Sequence, residues 1–188
     1  MMPDSKGCLK KLLEWVQDHV DKKSEDFSGH KPCPYAASAI EEGRVLFHVI
    51  DKLEYITRVK SIEPQNELSH VFLFTGFRDY PLSEIVTYIE HQNENHFGYW
   101  LMYFDPRAPR IEDVWKNFVK EDEDDSFGLF LLQSLEDITD ASAKLSASGY
   151  YNKADDDDIY FFHQREELAH AWNEIQTRFI QSKEEQTN

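Results

Sequence analysis

The chain has 188 residues, of which 40% are hydrophobic and 14% aromatic, and its 36 acidic residues outnumber 20 basic ones for a formal net charge of −16. That length holds one full core but not two ordinary domains, and the composition is that of a folded chain rather than a disordered one. The longest apolar stretch, Phe97 to Phe104, is far too short to span a bilayer, and Met1-Met2-Pro3-Asp4-Ser5-Lys6 does not begin a secretory signal. Two cysteines make no disulfide scaffold. A cytoplasmic protein with no membrane contact is expected.

The charge is uneven. Residues 1–60 carry ten basic and ten acidic residues, so the whole excess lies beyond them, and 112–158 alone hold 14 acids against four lysines. A surface of that sign repels a phosphate backbone, which argues against nucleic-acid binding, and attracts a basic protein partner or a cation.

The periodicity of Leu9, Leu12, Leu13, Val16 and Val20 predicts a helix over 5–20, with Trp15 beside its apolar stripe. A polar stretch, Asp21 to Gly29, follows. In His30-Lys31-Pro32-Cys33-Pro34, two prolines hold the backbone extended, and Pro34 suits the first turn of a helix that Gly43 can close. Val45 to Ile50 reads as a strand. Residues 52–67 are ambiguous: Tyr55, Thr57 and Val59 alternate as a second strand would, until Pro64 breaks the run. Val71 to Phe74 is a buried strand. Ser83 is positioned to cap a helix running to Asn95, with Ile85, Val86 and Ile89 inward.

Phe97 to Phe104 is the strongest strand, apolar on both faces and therefore expected at the centre of the sheet. A short helix over 111–119 and an exposed acidic loop, Glu121 to Asp125, come next. Phe127 to Leu132 reads as an edge or inner strand, and Leu135, Ile138, Ala141 and Leu145 as a helix that Gly149 ends. Tyr150 to Phe162 suggests a hairpin around Asp155–Asp158. A last helix spans 165–179, with Leu168, Ala171, Trp172, Ile175 and Phe179 inward. The strand–helix–strand unit at 71–104 implies a crossover with parallel pairing. The expected fold is α+β, a two-layer sandwich of ferredoxin-like character with extra N- and C-terminal helices; a small doubly wound sheet is the alternative. One domain, 1–182, is expected, with a polar tail over 183–188.

No glycine-rich phosphate loop, nucleophile elbow, H-E-x-x-H or EF-hand spacing is present. Cys33 stands just before a helix start, where unpaired amides and the helix dipole favour a thiolate. His30, three residues earlier, would be its proton acceptor. This pair is the candidate catalytic site, set against a structural reading in which a small residue sits between two rigid prolines. Cys33-Pro34-Tyr35-Ala36, followed by a short helix and a strand, resembles the C-P-F-A signature of a bacterial family of small uncharacterised proteins over about twenty residues, with Tyr35 in place of phenylalanine. The resemblance implies an α+β domain and transfers no catalytic role.

Among eight histidines, two Glu-x-x-His pairs occur, Glu67–His70 and Glu167–His170. Such pairs on facing helices hold di-iron and di-manganese centres. Glu67–His70 follows Pro64 and precedes a strand, so it is not expected to be helical. His163, Glu167 and His170 share one face of the last helix and are the candidate metal ligands, with His70 as a further one. The sequence assigns no cofactor. Three readings survive: an acidic accessory or protein-interaction module, a small enzyme built on Cys33 or on a His/Glu metal site, and a small-ligand binder. The module is preferred, because no site motif outweighs its structural explanation.

Overall fold

The computed structural model describes residues 5–61, 68–95, 98–107, 118, 126–153, 167, 169–171 and 174. Four strands, β1 (Val45–Ile50), β2 (Ser69–Phe74), β3 (Tyr99–Phe104) and β4 (Gly128–Ser134), form one mixed sheet in the order β1-β2-β4-β3. β1 and β2 are parallel, and β4 runs antiparallel to both β2 and β3. Among the described residues five α-helices accompany them: α1 (Ser5–Trp15), α2 (Ala36–Glu41), α3 (Glu54–Ser61), α4 (Leu82–Asn95) and α5 (Leu135–Ala147). Helical turns also include Glu167, Ala169, His170, Ala171 and Glu174. The fold is α+β, as expected. Among the described residues no helix is long and apolar enough to cross a membrane.

The two sheet faces bury different sets of side chains because successive strand residues alternate. Phe72 and Phe74 of β2, Phe130 and Leu132 of β4 and Leu101 of β3 lie on one face, packed with Leu53 and Ile56 at α3 and Ile85 of α4. On this face α3 and α4 form one layer against the sheet. The opposite face carries Val71, Leu73 and Leu129, covered by Cys8, Leu12 and Trp15 of α1 together with Phe118 and Phe127. Toward the β3 edge, Trp100 packs with Leu135 and Ile138 of α5 and with Ala169. Each fully buried phenylalanine contributes about 2–3 kcal/mol of transfer free energy, so the five of them at 0% exposure dominate the core.

Several elements differ from the sequence reading. Residues 54–61 are helical, not a strand: Leu53 and Ile56 face the core at helical spacing, and a parallel β1–β2 pair requires a crossover of this kind. Among the described residues β3 is an edge strand, not the centre. Its run is apolar because both its faces are covered, and face burial says nothing about strand order. β2 and β3 point the same way, but β4 lies between them, so the expected direct pairing is replaced by a split unit. The inward stripe of α1 is Cys8, Leu12 and Trp15, and Leu13 is exposed. In α4, Val86 is exposed and Gln92 and Asn93 are buried. Ala171 is exposed and Ala169 faces inward. Tyr150–Lys153 is a 3₁₀ turn. The expected helix over 111–119 (apart from Phe118), the acidic loop 121–125, the strand at 159–162 and the tail 183–188 lie outside the described residues.

Candidate functional site

Cys33 keeps solvent-facing surface, yet crowding around its sulfur raises the thiol's pKa, and the N–H groups of Tyr35 and Ala36 offset this only in part. The direction is opposite to the one expected of a thiol at a helix start. α2 is only six residues long, so its dipole is small. Among the described residues no hydrogen bond joins His30 to Cys33. The His30 ring lies 5.8 Å from that of Tyr150, and the Tyr150 hydroxyl donates to the Pro32 carbonyl. The segment is thereby tied to the end of α5, and Ser24 bridges His30 from the other side.

Glu167 and His170 are one turn apart and exposed, and His170 Nδ1 lies 3.8 Å from Glu174 Oε1. His163 lies outside the described residues. Among the described residues no group of three or more His, Cys, Asp or Glu side chains converges as a metal site.

His70 has a different neighbour. On the parallel β1–β2 pair, Leu46 is level with His70 and His48 with Phe72, so the two histidines project from the same face. His48 Nε2 is 3.1 Å from His70 Nδ1. The ring centroids are 5.3 Å apart and the planes differ by 13°. The centroid distance exceeds the N···N distance by roughly the two ring radii, so the rings meet edge to edge and one N–H points at the other's lone pair. A cation between them would require both rings to turn. Burial lowers both pKa values, and for His70 the neighbouring His48 adds to the effect.

The C-terminal ends of the three co-directional strands are where α/β sheets usually take ligands. Here they are occupied by the chain itself. Gly76, just beyond β2, packs so closely on the loop after β1 that a Cβ would stand 1.9 Å from the Asp51 carbonyl oxygen. Beyond β3, the buried Asp105 carboxylate accepts from Arg107 Nε (2.8 Å), Arg107 Nη2 (2.7 Å), the Arg107 backbone N–H (2.7 Å) and the Tyr103 hydroxyl (2.9 Å). Arg107 Nη1 donates to the Tyr80 carbonyl, and the guanidinium lies over the Phe77 ring. Burial alone would raise the Asp105 pKa, but these hydrogen bonds and the Arg107 charge hold it below the usual carboxylate value. The Tyr103 hydroxyl is pushed far above its ordinary range by burial and then by the Asp105 charge.

The two edges of the sheet are treated differently. On β3 the buried Asn93 side chain stands in for a neighbouring strand: its Oδ1 accepts from the Leu101 N–H (2.8 Å) and its Nδ2 donates to the Leu101 carbonyl (3.0 Å). β1 pairs with β2 alone among the described residues. The Arg44 and Ile50 carbonyls accept from the Ser69 and Thr75 N–H groups at 3.0 and 2.8 Å. Alternate residues of a parallel strand bond the same neighbour. Val45, Phe47 and Val49 therefore aim their N–H and C=O groups away from the sheet. Leu46 on one face and Val49 on the other are each 41% exposed. The strand contains no proline, no glycine and no formal charge, which are the usual guards of an edge.

The sequence reading contained β1 but not this edge. His48 and His70 were visible as residues, but only the parallel register brings them together. Compared with known proteins, the chain matches no family model, no curated protein and no solved structure.

Proposed function

We propose that this chain is an acidic accessory or protein-interaction module whose contact surface includes the outer edge of β1. The observation that carries the reading is the asymmetry of the sheet: at the β3 edge α4 crosses and Asn93 bonds the middle residue Leu101, while β1 presents outward backbone groups between two exposed aliphatic side chains. Such an edge accepts an extended segment by strand addition, the backbone supplying affinity and alternate side chains supplying specificity. The consumption of Asp105, Arg107 and Gly76 in internal contacts adds support, because it fills the place where a catalytic crevice would lie. The acidic excess beyond residue 60 favours a basic partner elsewhere on the surface.

A photoreactive residue at Leu46 or Val49, introduced in the host cell, tests the proposal, with Ser148 as an exposed control. Discrete protein adducts from 46 and 49 that the control does not give are expected. No adduct from the edge, or the same adducts from all three positions, would overturn the reading.

A further inference from the structure

β1 is the least buried strand of the sheet. Ile50 is its one buried residue, whereas five of the six residues of β2 are buried. Its two halves are held differently. At the C-terminal end the Ile50 carbonyl accepts from the Thr75 N–H (2.8 Å) and from the Thr75 hydroxyl (3.1 Å), and the Ile50 side chain packs with Leu53 and Ile56. In the N-terminal half Leu46 is exposed, and Val45 and Phe47 are only partly buried on the opposite face. On the α3 face this half is held by the His48 ring. It lies against Phe72, with centroids 4.7 Å apart and planes 22° apart, and it meets His70 at 3.1 Å.

That bridge can hold one added proton but not two. A neutral pair carries one N–H on each ring. One ring donates across the bridge, the other accepts, and the donor ring keeps a lone pair on its outer nitrogen. The first added proton goes to that outer nitrogen. The donor ring becomes an imidazolium, and its bridging N–H still meets the neighbour's lone pair, now as a charge-assisted bond. The second proton must take the accepting nitrogen itself. Two N–H groups then face each other across 3.1 Å, and two cations stand with their ring centroids 5.3 Å apart beside the buried Phe72. The rings must part.

No opposite charge among the described residues offsets this. The other titratable side chains packed on this face are the phenols of Tyr80, Tyr88, Tyr99 and Tyr103, and phenols carry no charge near neutral pH. Asp105, beyond the far end of β3, is held by Arg107. Glu54 and Arg58 of α3, and Glu84, Glu90, His91 and Glu94 of α4, are all exposed. The one charge that lowers either histidine's pKa further is that of His48, acting on His70.

We infer that His48 and His70 form a two-proton latch: one added proton leaves the bridge intact, and a second breaks it and releases residues 45–48 from β2 while Ile50 stays anchored. The latch works whatever lies on the outer edge of β1, so it goes beyond the docking reading and does not need it. It opens below the ordinary histidine value, where the released rings take both protons and the bridged pair takes one. Above that value the strand is seated. The chain thereby presents one β1 surface at neutral pH and loses it in acid.

Amide hydrogen exchange of the full chain, resolved residue by residue at about pH 7.5 and about pH 5 and corrected for the intrinsic effect of pH on exchange, tests this. Leu46, His48 and Val71 donate within the β1–β2 ladder. Their protection should fall in acid by roughly tenfold more than that of Ile50 and of Phe130 on β4. His48→Gln keeps an amide that can bond His70 but takes no proton, and should abolish the difference; His70→Gln serves if the first variant does not fold. In the wild type the two imidazoles should titrate as a coupled pair, in two steps. Protection that falls equally across the sheet overturns the inference, because acid then loosens the whole fold and not this strand. So does a β1 ladder equally protected at both pH values, or a local loss that the glutamine variant leaves in place. Should neither variant fold, two independent single-proton titration curves in the wild type overturn it.

Discussion

Asn93 acts as a strand partner for Leu101: one carboxamide bonds both backbone groups that this middle residue of β3 would otherwise offer to solvent or to another chain. A side-chain amide has the same donor and acceptor as a peptide unit, and Asn93 is buried where α4 crosses the strand. Asn93→Leu keeps the volume and strands two buried backbone groups. A loss of about 2–4 kcal/mol is expected in denaturant unfolding.

The Asp105–Arg107 pair should be worth less than a fully buried one. The Asp105 side chain is 3% exposed but that of Arg107 is 21%. Asp105→Asn is therefore expected to cost about 2–3 kcal/mol at neutral pH, near the low end for breaking a buried pair. The pH dependence follows from its lowered pKa. The wild-type advantage is present above the ordinary carboxylate value and is lost as pH falls through the lowered one, so unfolding curves of the two proteins should converge in acid.

His48 and His70 impose the opposite sense from a histidine paired with a carboxylate. Burial lowers both pKa values, so the fold favours the neutral pair. In the unfolded chain these rings take protons near about pH 6.5. Stability is full above that value and declines as pH drops below it, because the unfolded chain binds more protons. Urea unfolding at about pH 7.5 and about pH 5.5 should show the decline, and His48→Leu with His70→Leu should flatten it.

Two glycines separate crowding from backbone conformation. At Gly76 a Cβ would sit 1.9 Å from a backbone oxygen, which cannot rotate away, so the β1 and β2 loops must part. Gly76→Ala should cost about 3 kcal/mol. At Gly43 the space is open but φ is +70°, so Gly43→Ala should cost only about 1 kcal/mol of strain. Thermal unfolding of the two variants distinguishes them.

Face burial was legible in the sequence, and strand order was not. The periodicities placed α1, α2, β1, β2, α4, β3, β4 and α5 within a few residues, because each apolar pattern records what its own element buries. Tyr55, Thr57 and Val59 mimicked a strand because β-branched and aromatic residues alternate there, while the decisive Leu53–Ile56 spacing is only one turn long. β3 looked central because nothing local shows that its outer edge is served by Asn93. Cys33 and His30 stood out as a motif, but the groups that fix their surroundings include Tyr150, 118 residues from Pro32. His48 and His70 needed a register that hydrophobic pattern alone does not supply.

Among the described residues β4 is the last strand in the chain and an inner one in the sheet. During synthesis β1 and β2 can pair as soon as both have emerged, but β3 has no strand to join until Gly128–Ser134 arrives between it and β2. A nascent chain ending before that point therefore holds an incomplete two-stranded ribbon and an orphaned third strand, with Phe72, Phe74 and Leu101 unburied. Folding of the sheet is deferred until about two-thirds of the polypeptide has been made. Fragments cut in the stretch before β4 would be aggregation-prone rather than smaller versions of the fold.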